Sequence, residues 1–147
     1  MPLTAAISGL YAHVLRLHPG DDLRASLTAY VQAQAIEAGM VLTCVGSLTE
    51  VSLRLANHDA ATRWQGHFEI VSLVGTLSAS GGSHLHVAVS DGTGRTLGGH
   101  LLDGCRIYTT AEVVLAALPA LQFARETDPT YGYRELVAKP TGAEPAN

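Results

Sequence analysis

Seven histidines are spread along 147 residues, and three of them have a spacing that suits metal chemistry. His84 and His86 are separated by a single residue, and His100 follows across a glycine-rich turn. Side chains alternate between the two faces of a β-strand, so an H-x-H pair sets both imidazoles on one face. Three imidazoles can hold a zinc ion at about 2.0–2.1 Å and leave its fourth position to water or a ligand. Nickel, copper and iron accept the same donors, so histidine alone does not choose the metal. An H-x-H pair is by itself a weak signal. The plainer alternative is that these histidines cap a polar strand face or hydrogen-bond across a subunit interface.

Whether His100 joins the pair depends on the connection between them. Asp91-Gly92-Thr93-Gly94 is hairpin-turn chemistry, which makes His84–Ser90 and Arg95–Leu102 antiparallel partners. A three-residue connection of Gly92, Thr93 and Gly94 sets His100 opposite His86 and on its face. A two-residue turn reverses this unless a bulge at Gly98-Gly99 restores the register.

The elements that must position this cluster follow from patterning. Tyr11–Leu17 alternates and predicts a first strand. Pro19-Gly20 breaks it, Asp21 or Asp22 offers an N-cap, and Leu23, Leu27, Val31 and Ile36 predict a helix that stops at Gly39. Met40–Leu55 is rich in aliphatic and β-branched residues, which predicts two strands or one strongly bent strand about Gly46-Ser47. Asn57–Gln65 is polar and reads as a loop, Phe68–Leu77 as a strand and Ser78–Ser83 as a turn. Arg106–Leu118 suits helix or strand equally, and Phe123–Val137 a short final strand plus a turn. This places a domain at 11–137, with an N-terminal extension at 1–10 and a loose tail at 138–147.

Composition narrows the function. The length suits one domain, and charged residues are only 15%, less than a typical monomer's surface carries, which points to subunit burial. The net charge of -4 gives no global attraction to DNA phosphates. The arginines are scattered along the sequence rather than clustered. Cys44 and Cys105 lie in apolar strand-like surroundings without a CxxC spacing, so they read as buried thiols. No stretch has the length or the leader-like pattern of a membrane or secretory segment, which predicts a cytoplasmic protein without membrane contact. Phosphate-loop, dinucleotide and nucleophile-elbow motifs are missing, which disfavours nucleotide chemistry and leaves no organic cofactor site.

Several stretches carry a family resemblance: Gly46-Ser47-Leu48, Gly66-His67-Phe68-Glu69-Ile70-Val71, Gly75-Thr76, His84-Leu85-His86-Val87, Gly98-Gly99-His100-Leu101 and Thr110-Ala111-Glu112-Val113. In this order and spacing they resemble the plants-and-prokaryotes conserved domain, also called the domain of unknown function 296. The resemblance implies an α+β fold, an antiparallel, barrel-like β-sheet packed against a main helix, and assembly into a homotrimer. It favours strand over helix for Arg106–Leu118. It strengthens the reading of His84, His86 and His100 as a zinc site and brings an association with DNA binding. In plants the domain follows AT-hook peptides, and this sequence has no Arg-Gly-Arg-Pro core. It also departs from the plant Gly-Arg-Phe-Glu-Ile-Leu stretch at His67 and Val71, which weakens transfer of that stretch's partner-recruiting role.

The family fold is similar to that of acetolactate decarboxylase, a zinc enzyme with an H-x-H pair and a third histidine. By that analogy Arg54 and Glu69 are candidates for positioning a substrate and moving protons. The alternative is that they pair with each other or with a neighbouring subunit. Two classes of function follow: a trimeric metal-containing binding or regulatory module, with DNA contact by family association, or a zinc-dependent lyase acting on a small carbonyl or carboxylate. An enzyme needs an open cavity with Arg54 or Glu69 at the metal, whereas a structural site is closed by a fourth ligand. Tyr131, Gly132 and Tyr133 could form the lip of a pocket, although packing of the C-terminal segment is the commoner use of such residues.

Overall fold

The structure is a computed structural model and describes residues 5–142. The elements run β1 (Tyr11–Leu17), α1 (Leu23–Ala33), β2 (Gly39–Arg54), β3 (Ala61–Ser78), β4 (Gly82–Ser90), β5 (Thr96–Leu101), β6 (Arg106–Ala117), β7 (Leu121–Thr127) and β8 (Arg134–Pro140). The first six strands form one antiparallel sheet in the order β1-β6-β2-β3-β4-β5. The far strand β5 also returns to β2, pairing Leu53 with Leu101 and Arg54 with His100. Four strands thereby close into a partial ring, less complete than a barrel. β7 and β8 form a separate hairpin.

One helix packs on this sheet. Asp22 caps it, its carboxylate accepting from the Ala25 N–H at 3.0 Å, and Leu23, Leu27 and Val31 recur on the buried face. Each fully buried leucine contributes about 1.5–3 kcal/mol relative to exposure. The helix ends sooner than the periodicity suggests. Ala35 turns left-handed at φ 50, so Ile36 is buried from the following loop and Gly39 opens β2 instead of capping α1.

The segment Met40–Leu55 is one bent strand, its pairing with β6 shifting register at Val41/Thr43, Gly46/Leu48 and Leu48/Glu50. Arg106–Ala117 is strand. Two expectations need correction. Residues 61–65, expected in a loop, pair with 50–54, because the ladder is a backbone interaction and does not require the apolar alternation this segment lacks. Ala138, Lys139 and Pro140, expected in a loose tail, instead pair with Phe123, Gln122 and Leu121. The remainder of that tail beyond 142, and residues 1–4 of the expected extension, lie outside the described residues.

The main core collects the inward residues of all six sheet strands beneath α1, among them Leu48, Leu53, Leu85, Leu101, Ile107 and Leu115. Cys44 and Cys105 are free and buried in it.

Candidate metal centre and ligand cavity

β4 alternates cleanly, with Leu85, Val87 and Val89 facing the core and His84 and His86 facing outward. The following turn sets the register. The Asp91 N–H donates to the Arg95 carbonyl, the Gly94 N–H donates to the Asp91 carbonyl, and Asp91 Oδ1 accepts from Thr93 and Arg95. Gly94 supplies the left-handed residue at φ 83. The connection is therefore the three-residue form, and His86 stands opposite His100. No bulge intervenes at Gly98-Gly99. Those glycines meet a different need: an added Cβ would lie 2.8 Å from the Val87 carbonyl oxygen at Gly98 and 2.8 Å from that of Arg54 at Gly99. They let β5 sit tightly between β4 and the end of β2, which brings Arg54 beside His100.

The three imidazoles converge. His84 Nε2 and His86 Nε2 are 3.2 Å apart, and one ring nitrogen from each of the three residues lies within 4.8 Å of the others. Ligand nitrogens on a tetrahedral zinc ion at about 2.05 Å stand about 3.3 Å apart, so small side-chain adjustments suffice. Burial, with the charges of Arg125, His86 and Arg54, lowers the His84 pKa against an opposing pull from Glu135. Burial first, then Arg54 and the other two rings, lowers His100 to about 4. Both shifts favour the neutral imidazole that a metal requires. His100 Nδ1 is buried without a hydrogen-bond partner. Among the described residues no fourth histidine, cysteine or carboxylate joins the group. The donor set fits a metal with one side open.

His84 and His100 line a cavity of about 540 Å³, whose wall also includes Arg54, Asn57, Arg125, Tyr133, Arg134 and Glu135. A smaller groove of about 260 Å³ adjoins it along Thr76, His86, Arg125 and Glu135. Of the two auxiliary candidates, Arg54 lines the cavity and Glu69 does not. Glu69 is exposed between Ser47 and Ser90, seven residues along β3 from Thr76, the partner of His84, or roughly 20 Å at strand rise. Arg54 and Glu69 do not pair with each other: the ion pairs among the described residues are His18–Asp21, Arg24–Asp103 and Lys139–Glu126. The acid that approaches the triad is Glu135.

Other residues sort plainly. Tyr131 and Tyr133 are both exposed, Tyr133 at the edge of the cavity, and His58 lies on the cavity wall with Asn57. His67 stacks on Tyr108, and His13 bonds the Tyr30 hydroxyl at 2.9 Å. The sequence reading missed Arg125 and Glu135, which no motif or spacing connects to the histidines. Thr76 marks the junction, since it stands opposite His84 and accepts from Arg125 Nη2 at 3.0 Å.

An antiparallel α+β sheet with one helix and a histidine triad across its β4–β5 hairpin defines the structural class. The family model of the Plants and Prokaryotes Conserved (PCC) domain matches residues 5–119, and the chain belongs to that family. Among curated proteins, the bifunctional protein GlmU of a Synechococcus strain is 45% identical over 136 residues, covering 92% of this chain and 21% of that protein. AT-hook motif nuclear-localized protein 13 of Arabidopsis thaliana is 33% identical over 62% of this chain and 23% of its own length. The chain thus spans between a fifth and a quarter of these relatives' length. Among solved structures, a hypothetical protein of Salmonella cholerae-suis shares 43% identity at a TM-score of 0.90, over 92% of this chain and 98% of that one. The metal-containing protein AF0104 of Archaeoglobus fulgidus has a similar fold, with a TM-score of 0.77 and 22% identity over 93% and 99% of the two chains.

Proposed function

We propose that this chain is one subunit of a homotrimer that holds a zinc ion on His84, His86 and His100 and uses the adjoining cavity to bind a small ligand, as a binding or regulatory module. The observation that carries the reading is the convergence of three ring nitrogens within 4.8 Å beside an open cavity, with no fourth protein ligand among the described residues. A protein of similar fold described as metal-containing supports it. The trimer is supported by strand residues that expose apolar side chains, Val14, Val45, Val71 and Val74 among them, and by the free edge of β1. Free buried cysteines suit the cytoplasm. No helix among the described residues is long and apolar enough to cross a membrane. The family's DNA association reaches this chain through a partner rather than direct contact, because its net charge is -4.

A second reading, a lyase acting on a small carbonyl or carboxylate, is favoured by Arg54 on the cavity wall. A bound zinc ion would supply Lewis acidity toward a carbonyl oxygen. Arg54 would orient a carboxylate, and Glu135 rather than Glu69 stands where a proton could be exchanged.

Metal analysis of purified protein, with mass measured in the same samples, tests the proposal. The expected result is about one zinc ion per chain in a trimer, lost in the His84→Ala/His86→Ala double variant while the trimer persists. Wild-type protein that stays metal-free after reconstitution would remove both the metal reading and the lyase reading. A monomeric mass would remove the trimer.

A further inference from the structure

The β7–β8 hairpin lies outside the stretch matched by the family model, yet it forms one wall of the cavity. It brings Arg125 and Arg134, which join Arg54 from β2. None of the three lies within 4.0 Å of a carboxylate among the described residues. Two are held by their neighbours. Arg125 donates to the Thr76 hydroxyl at 3.0 Å, beside His84, and Arg134 donates to the Arg125 carbonyl at 2.7 Å. Each guanidinium carries five N–H donors in a planar fork, so most remain free for a bidentate oxyanion.

We propose that the β7–β8 hairpin is the anion-recognition element of this cavity, with Arg125 and Arg134 joining Arg54 to hold the carboxylate of a small organic acid beside the histidine triad. This rests on the reading of the cavity as a ligand site. In the metal-free form three arginines face two acids, Asp59 and Glu135, on the same wall, and the surplus of one positive charge suits a monocarboxylate better than a doubly charged phosphate. Asn57 and Tyr133 offer amide and hydroxyl groups for the rest of the molecule. A volume of about 540 Å³ is of the size that takes a metabolite-sized acid.

Calorimetric titration of the full chain with pyruvate tests this, in metal-free and zinc-loaded forms, with acetone and inorganic phosphate as comparison ligands. Pyruvate is expected to bind both forms, and in the metal-free form to bind more tightly than phosphate, while acetone does not bind that form. Arg125→Gln/Arg134→Gln, and Arg134→Gln alone as the milder variant on an exposed residue, should weaken pyruvate binding, the double at least tenfold, with zinc content per chain unchanged. Glu135→Gln, which removes an opposing charge, should tighten it. Equal pyruvate binding by wild type and the double variant overturns the proposal while leaving the metal reading intact, as does preference for phosphate in the metal-free form. Arginine-dependent pyruvate binding by protein that takes up no zinc would preserve this proposal and sink the metal reading instead. Failure of wild type to bind pyruvate in either form also overturns it.

Discussion

Substitution of Gly75 by alanine probes how the sheet positions the triad. Gly75 lies opposite Leu85 at φ 134, and an added Cβ would stand 2.0 Å from the His84 carbonyl oxygen and 2.9 Å from Leu85 Cα. Contacts under 3.0 Å are not sustained, so β4 must retreat by about 1 Å, and the first atoms displaced belong to a triad histidine. The backbone conformation costs an L residue about 1–3 kcal/mol, and overpacking adds about 1–3 kcal/mol before relaxation. Together they come to about 2–6 kcal/mol, which the retreat of β4 reduces to about 2–4 kcal/mol for Gly75→Ala. For a chain of this size that lowers Tm by about 5–15 °C at fixed protein concentration. Displacing His84 should also weaken zinc binding by about 10–100-fold, comparable to losing a group that orients a ligand. Gly92→Ala is the control, because nothing lies within 4 Å of its added Cβ and its φ is not in the left-handed range. Thermal denaturation and competitive zinc titration of both variants decide the matter. If Gly75→Ala melts within about 1 °C of Gly92→Ala and binds zinc equally well, the tight β3–β4 approach is not what holds His84 in place.

Three further outcomes follow from other parts of the fold. Asp22→Ala removes the acceptor for the Ala25 N–H and also for the Gly104 N–H at 2.6 Å, so chemical denaturation should show a loss of about 1–2 kcal/mol. In metal-free protein burial and the nearby Arg54 hold His100 at about 4 when folded, against the ordinary imidazole value of 6.5 in the unfolded chain. The unfolded state then takes up a proton first, so this contribution is intact above pH 6.5, declines as pH falls toward 4 and changes no further below it; urea midpoints across that window should show the decline, and His100→Gln should flatten it. Cys44 and Cys105 are buried, which pushes each thiol up to about 11, so iodoacetamide at pH 8 should leave both unmodified in folded protein and label both in urea.

The triad was legible in the sequence because every step linking it is local. The H-x-H pair needs only strand alternation, and Asp91 with Gly94 encodes a turn whose length sets His100 opposite His86. The Asp22 cap and the Leu23, Leu27, Val31 spacing marked α1 for the same reason. Where a segment is held by backbone pairing with little burial, the pattern carries no signal. Residues 61–65 are exposed or only part-buried, and so is all of β8, which is why one was read as loop and the end of the other as tail.

The cavity wall was illegible for a different reason. Arg125 and Glu135 reach the triad because the β7–β8 hairpin docks through contacts distant in sequence: the Phe123 N–H donates to the Glu37 carbonyl, and Gly81 packs so closely that an added Cβ would lie 2.6 Å from the Phe123 carbonyl oxygen. Glu37 in turn accepts from Ser78 at the end of β3 and from Ser80 in the β3–β4 turn. None of these residues advertises a site, and an alternation-based reading assigns Arg125 and Glu135 to an ordinary solvated hairpin. The separation has a functional reading as well. The histidines sit on a hairpin inside the family-matched stretch, whereas two of the three cavity arginines sit on a hairpin beyond it. If the cavity holds an acid as proposed, exchanging residues 121–140 should alter which acid binds while leaving the triad's metal uptake unchanged.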